Sequence, residues 1–187
     1  MGKDFTMKPL WKRIETSVVI GGIGLLVLGM GCYEAGARIN TTRSIPVGLY
    51  WTSKKLIDKV DKGDYVFFCP PENDIFFMAK ERGYISFGVC PGNYGYMMKQ
   101  VLAVENDVVT VADEGVRVNG NLLPLSAVRK VDKSGRPLKG YQPNSFTLEN
   151  SEVLLMSDVN NLSFDGRYFG PINRLQIKAV INPVITW

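Results

Sequence analysis

From Thr16 to Tyr33 the chain carries no charged residue, and its apolar part, Val18 to Met30, is rich in Val, Ile, Leu and Gly. As an α-helix rising 1.5 Å per residue this run reaches about 27 Å, close to the roughly 30 Å hydrocarbon core of a bilayer. Lys3, Lys8, Lys12 and Arg13 precede it, a bias that keeps the N-terminus in the cytoplasm and places the downstream chain outside. The expected organisation is a cytoplasmic segment over 1–16, a transmembrane anchor over 17–33 and an exported β-rich domain over 34–187. A cleavable signal peptide shares the basic start and the apolar stretch. The run is longer than a usual signal core, and Cys32-Tyr33-Glu34-Ala35-Gly36-Ala37 matches a cleavage site only loosely, so an uncleaved anchor in the inner membrane is preferred. A buried soluble helix is the third reading. Gly21, Gly22, Gly24 and Gly29 weigh against it, because glycine weakens a helix in water but is common in membrane helices.

The remainder is ordinary globular material. A chain of 187 residues with 45% hydrophobic and 21% charged composition suits one modest core plus an appendage. The net charge of +4 is not gathered into a dense Lys/Arg tract, so nucleic acid is not an expected partner, while slight attraction to membrane lipid is compatible with it. Cys69-Pro70-Pro71 and Cys90-Pro91-Gly92 occupy similar settings. In an oxidising compartment they are expected to bridge; two buried free thiols are the alternative. A metal site is a poor third reading, because no histidine or further cysteine completes a ligand set. No cofactor is expected.

After the anchor, Gly36 to Arg43 reads as a short connection, which places Ser44 within about 40 Å of the membrane segment even if fully extended. Leu49–Thr52 and Tyr65–Cys69 read as strands. Asn73 to Gly83 reads as a helix, with Ile75, Phe76, Met78 and Ala79 as its apolar face and Gly83 as its stop. From Tyr96 onward the chain looks all-β. Met97–Val104, Val108–Ala112 and Val116–Val118 are followed by an Asn119-Gly120 hairpin turn; Phe146–Leu148, Glu152–Met156, Tyr168–Ile172 and Ile177–Ile185 supply the later strands. Strands do not alternate with helices, which argues against a parallel α/β sheet.

Two residues carry candidate chemistry. Ser44 sits in Thr42-Arg43-Ser44-Ile45-Pro46-Val47-Gly48, where Pro46 pushes Ile45 into an extended conformation and Gly48 permits close backbone approach. Taken alone, this is equally a plain turn. A serine hydroxyl needs a base, and with no histidine in the chain the base must be a lysine or a carboxylate. Lys99 lies inside the apolar run Met97 to Val104, with Met97, Val101 and Ala103 on its own strand face. Burial there disfavours the ammonium and makes the amine a base near neutral pH; a lysine snorkelling from a half-exposed strand is the alternative.

These blocks, together with Ser157-Asp158 and Ser163-Phe164-Asp165-Gly166-Arg167, resemble in order and content the type I signal peptidases, serine proteases with a Ser/Lys dyad on a largely β fold. The spelling Ser44-Ile45-Pro46-Val47-Gly48-Leu49-Tyr50, the single anchor and the paired Cys-Pro motifs are similar to the TraF-type conjugative transfer peptidases within that S26 family. The resemblance implies a signal-peptidase-like (LexA-like) β-fold and a Ser44/Lys99 dyad. The residues Ser163 to Arg167 themselves read as an orienting hydroxyl for Lys99 at Ser163 and a clamp of Asp165 with Arg167, with a polar turn joining strands as the alternative; the resemblance implies that Thr42 donates a second hydrogen bond to the oxyanion beside the Ser44 backbone N–H. The implied partners are a pilin-like exported precursor and components of a conjugation or secretion apparatus. Departures are Ile45 for methionine, which fits the conjugative branch, and Gln100 for a basic residue, Glu105-Asn106 for Pro-Gly and Gly166 for serine, which bear on the substrate channel and local turns. A general signal peptidase and an inert scaffold subunit are the rival expectations.

Overall fold

The structure, a computed structural model, describes residues 8–187, with side chains from Trp11 onward. Residues 1–7 of the expected cytoplasmic segment, Lys3 among them, lie outside the described residues. The chain divides into two compact units, Met1–Arg38 and Ile39–Trp187.

The first unit is dominated by α1, Lys8–Glu34. Within it the 24 residues Trp11–Glu34 make one helix long and apolar enough to cross a membrane, and their side chains are exposed. The helix begins earlier than the apolar run because Lys12 and Arg13 are good helix formers. At its other end Arg38 Nη1 donates to Tyr33 O at 2.7 Å, satisfying a terminal carbonyl, and the guanidinium lies 3.9 Å from the Tyr33 ring centroid.

The second unit is mainly β. The strands of the chain are β1 Ala37–Asn40, which begins in the last two residues of the first unit, β2 Gly48–Thr52, β3 Tyr65–Phe68, β4 Phe87–Cys90, β5 Met97–Ala103, β6 Val108–Ala112, β7 Gly115–Val118, β8 Asn121–Leu122, β9 Ser145–Thr147, β10 Glu152–Met156, β11 Ile172–Asn173 and β12 Ile177–Thr186. Two short helices, α2 Asp74–Glu81 and α3 Gly166–Phe169, interrupt them. One sheet runs β1-β2-β12-β3-β5-β10-β11 and a second runs β8-β7-β6-β9.

Strand β5 shows why the sheet forms where it does. Its residues alternate between buried and half-buried along its whole length, the period-two pattern of a strand with one face in a core. Val66 opposite Lys99 and Leu155 opposite Val101 put β3 and β10 side chains on that same face, where Val66, Phe68, Met97, Val101, Val153 and Leu155 form the main core. A smaller core of Ile45, Tyr50, Phe67 and Ile181 seats the segment between β1 and β2. Strand β2 carries that segment and pairs antiparallel with β12, whose register slips between Pro183 and Ile185 because proline offers no ladder N–H. At Gly48 the crossing is so close that an added Cβ would sit 2.1 Å from Ile185 O; no other residue fits there.

Cys69 and Cys90 are bridged, with Cα atoms 5.5 Å apart, tying the end of β3 to the end of β4. Helix α2 is the expected one: Asn73 caps it by accepting from the Phe76 N–H at 3.2 Å, and Gly83 follows with φ of 74°. Two expectations need correction and one strand is added. Gly36 to Arg43 is not a plain connection, since Ala37–Asn40 forms the edge strand β1. Phe87–Cys90 adds the strand β4. Tyr168 to Ile172 is not a strand: Asp165 caps α3 by accepting from the Arg167 N–H, and Gly170 at φ 76° ends the turn, leaving only the two-residue β11.

Candidate active site

Ser44 stands on a segment fixed from three directions. The Ile45 side chain is fully buried in the small core, and the Tyr50 hydroxyl donates to Pro46 O at 2.6 Å. The third brace is Asn40, 3% exposed. Its Nδ2 lies 2.7 Å from Thr42 O and 3.0 Å from both Ile45 O and Pro46 O, while its Oδ1 accepts from Thr42 N at 3.2 Å and from Thr42 Oγ1 at 3.0 Å. One buried amide thus holds the backbone on both sides of Ser44. Sequence reasoning missed this residue; its only local signal is an asparagine two positions before a threonine, the spacing at which Asx side chains bond backbone N–H groups.

The hydroxyl hydrogens follow from the same bonds. Asn40 Oδ1 can only accept, so Thr42 spends its single O–H on it. Ser44 Oγ, 2.8 Å from Thr42 Oγ1, is therefore the donor in that pair.

Lys99 is 3% exposed on the buried face of β5, and its Nζ donates to Ser163 Oγ at 2.8 Å. Burial pushes the amine down to about 8; the Asp165 carboxylate opposes that fall and the Arg167 guanidinium reinforces it. Those two are themselves paired and fully buried: Arg167 Nε to Asp165 Oδ1 is 2.8 Å and Nη2 to Oδ2 is 3.0 Å. Arg167 Nη1 also reaches the carbonyls of Leu125, Ala127 and Asn161 at 3.0 to 3.2 Å, and Asp165 accepts from the Ser157 N–H at 3.1 Å. The pair fixes the loop that presents Ser163, and Arg167 offsets part of the pull of Asp165 toward a protonated Lys99. Gly166 follows from packing: a Cβ there would lie 2.6 Å from Leu154 Cδ1 and 2.9 Å from Leu155 O, so serine does not fit.

Ser44, Thr42, Lys99 and Ser163 line one cavity of about 360 Å³, walled also by Tyr96, Met97, Met98, Ile85 and Phe164. In this state the two central side chains bond elsewhere, Ser44 to Thr42 and Lys99 to Ser163. No hydrogen bond joins the Ser44 hydroxyl to the Lys99 amine. A serine hydroxyl and a buried amine lining one cleft are the groups that acyl transfer needs. Among the described residues no group of acidic, cysteine or histidine side chains is placed to hold a metal ion.

Residues 11–187 match the signal peptidase, peptidase S26 family. The chain is 66% identical over 181 residues to the plasmid transfer protein TraF of Escherichia coli, covering 97% of this chain and 100% of that protein. It is 37% identical over 175 residues to the conjugal transfer protein TraF of Agrobacterium fabrum, covering 90% of this chain and 94% of that one. A solved signal peptidase I from Enterococcus faecalis is only loosely similar, at TM-score 0.39 and 18% identity over 66% of this chain and 97% of that chain. With relatives matched along nearly their whole length, and the family match taking in every strand of the fold, this chain belongs to the S26 signal peptidases, in their TraF-type conjugative transfer branch.

Proposed function

We propose that this chain is a membrane-anchored serine endopeptidase that trims exported pilin-like precursors for conjugative transfer, with Ser44 as nucleophile and Lys99 as base. The observation that carries the reading is the Lys99 amine, buried, brought down to about 8 and held by Ser163 in the cavity that also contains Ser44. Uncharged Lys99 takes the Ser44 proton as Oγ attacks the scissile carbonyl. The resulting ammonium returns a proton to the leaving amine as the C–N bond breaks, and an ester to Ser44 remains. Water resolves the ester to a trimmed chain; a peptide amine in its place joins two ends.

The oxyanion is held by the Ser44 N–H, and by the Thr42 hydroxyl once it turns away from Asn40 Oδ1. Ser163 keeps Lys99 in position, and Asp165 with Arg167 fixes Ser163. Helix α1 anchors the chain in the inner membrane with its N-terminus cytoplasmic and the β unit outside. The conjugative role is supported by the names of the relatives matched over almost the full chain.

The test is cleavage of a co-expressed pilin precursor by the wild-type chain and by Ser44→Ala and Lys99→Ala. The expected result is loss of cleavage with the fold retained in both variants. Undiminished cleavage by Lys99→Ala at neutral pH removes the base, and unchanged transfer function in both variants leaves a scaffold. Efficient cleavage of many unrelated preproteins favours a general signal peptidase.

A further inference from the structure

Beside the cleft that holds Ser44 lies a larger cavity of about 570 Å³, and Gly83, Tyr84, Ser163 and Phe164 line both. The proposed mechanism makes no use of it. Its floor includes the buried aromatic rings of Phe164 and Tyr168. Its rim carries Arg82, Arg129, Lys133 and Arg136 against a single carboxylate, Asp132. In a chain whose total excess is only +4, that is a concentrated positive field.

The one acid is already committed. Asp132 accepts from the Tyr84 hydroxyl, from Arg136 Nε at 2.6 Å and from the N–H groups of Ser134 and Arg136 at 2.8 and 2.9 Å. The Tyr84 bond first, and then the backbone and Arg136 bonds, hold it well below the usual carboxylate range. Among the described residues Arg82, Arg129 and Lys133 make no ion pair.

The wall bearing these cations is also stiff. A small hairpin is closed by the Val131 to Pro137 bridge and the Asp132 N–H to Arg136 O bond of 2.9 Å. It is pinned to the α2–β4 connection by Tyr84 to Asp132 and by Arg82 Nη1 to Pro137 O at 2.8 Å. A preformed cavity with unneutralised cations at its rim favours a carboxylate.

We propose that this cavity is a carboxylate subsite continuous with the cleavage cleft, taking an acidic side chain or the terminal carboxylate of the substrate segment beside the scissile bond. The subsite rests on the proposed peptidase activity and adds to it a charge preference. The cations act at a distance from the reacting atoms, so they raise the capture of acidic substrates.

The test uses the full chain in detergent and quenched-fluorescent peptides that share one Ala-x-Ala cut site. A single Glu or Gln is walked along both flanks, and each peptide is made with a free and an amidated C-terminus. At one or more positions the wild-type chain should prefer Glu over Gln by about three- to tenfold in kcat/KM at low salt, with the preference shrinking as salt rises. Arg129→Gln combined with Lys133→Gln should abolish the preference while melting with the wild type, since both side chains are exposed. A preference that follows the free C-terminus in place of Glu identifies the terminal carboxylate as the occupant. Equal cleavage of every Glu and Gln pair with no effect of the free end overturns the subsite, as does a preference that survives the double variant. If no peptide is cleaved, the peptidase reading is decided by the co-expressed precursor, and the same peptides, labelled and titrated onto the chain by fluorescence anisotropy, test the cavity alone. Equal affinity for the Glu, Gln, free and amidated forms overturns the proposal; tighter binding of the acidic forms that is lost in the double variant supports it.

Discussion

Replacing Lys99 by methionine should abolish cleavage and make the protein more stable. Burial brings the amine from its ordinary 10.5 to about 8. At about 1.4 kcal/mol per pKa step, holding the charged form inside the fold costs about 3 kcal/mol at neutral pH. Methionine fills similar volume without charge, and loss of the bond to Ser163 removes about 1 kcal/mol. The net gain is about 2 kcal/mol, or about 4–8 °C in Tm for a chain of this size. The sign depends on pH. Below the folded value of about 8 both folded and unfolded lysine carry the proton, and the cost is fully present. Between there and 10.5 the unfolded chain holds a proton that the folded chain has released, so wild-type stability rises with pH; above 10.5 the cost is gone. Paired melts of wild type and Lys99→Met at about pH 7 and pH 10 isolate this group from all others. A variant less stable than wild type by the same amount at both pH values refutes the claim that burial penalises the Lys99 ammonium.

The remaining expectations concern rate, positioning and cross-linking. With a base at about 8, kcat/KM should rise about tenfold per pH unit up to that value and then level off; a rise that continues past about pH 10 would mean an ordinary, solvated lysine. Asn40→Ala leaves three backbone carbonyls and the Thr42 hydroxyl without their buried partner. It should cost about 1–3 kcal/mol in denaturant titration and lower kcat more than it raises KM, because the loop presenting Ser44 loosens. Opening the Cys69–Cys90 bridge, which spans 21 positions, by the double change to alanine should cost about 3 kcal/mol, read as a fall in midpoint; an unchanged midpoint would show that the loop is held by packing alone.

The parts of this fold that are legible in the sequence are those whose cause is local. The alternation that buries Lys99 is written along β5, and the cap and stop of α2 are written in Asn73 and Gly83. The misassigned stretch from Tyr168 to Ile172 is rich in β-formers, yet it is bent into a helical turn by the buried pair of Asp165 and Arg167, a tertiary cause that propensity does not contain. Strand β1 is four residues long and exists because β2 lies beside it. The meeting of Lys99 with Ser163, 64 positions apart, has no periodic signature; only a resemblance to a family suggested it. Asn40 had neither signal, since its role depends on the folded course of the six residues after it.

The pairing of β2 with β12 means that the frame of Ser44 is completed by a strand more than 130 positions further along the chain, with Gly48 wedged against Ile185. Closing so long a loop is among the slower events in folding. Until residues 177–186 have docked, Ser44 stands on a segment with no backing strand, so its frame is among the last parts of the fold to be completed. On the proposed peptidase reading, activity then waits for the last strand of the sheet to dock.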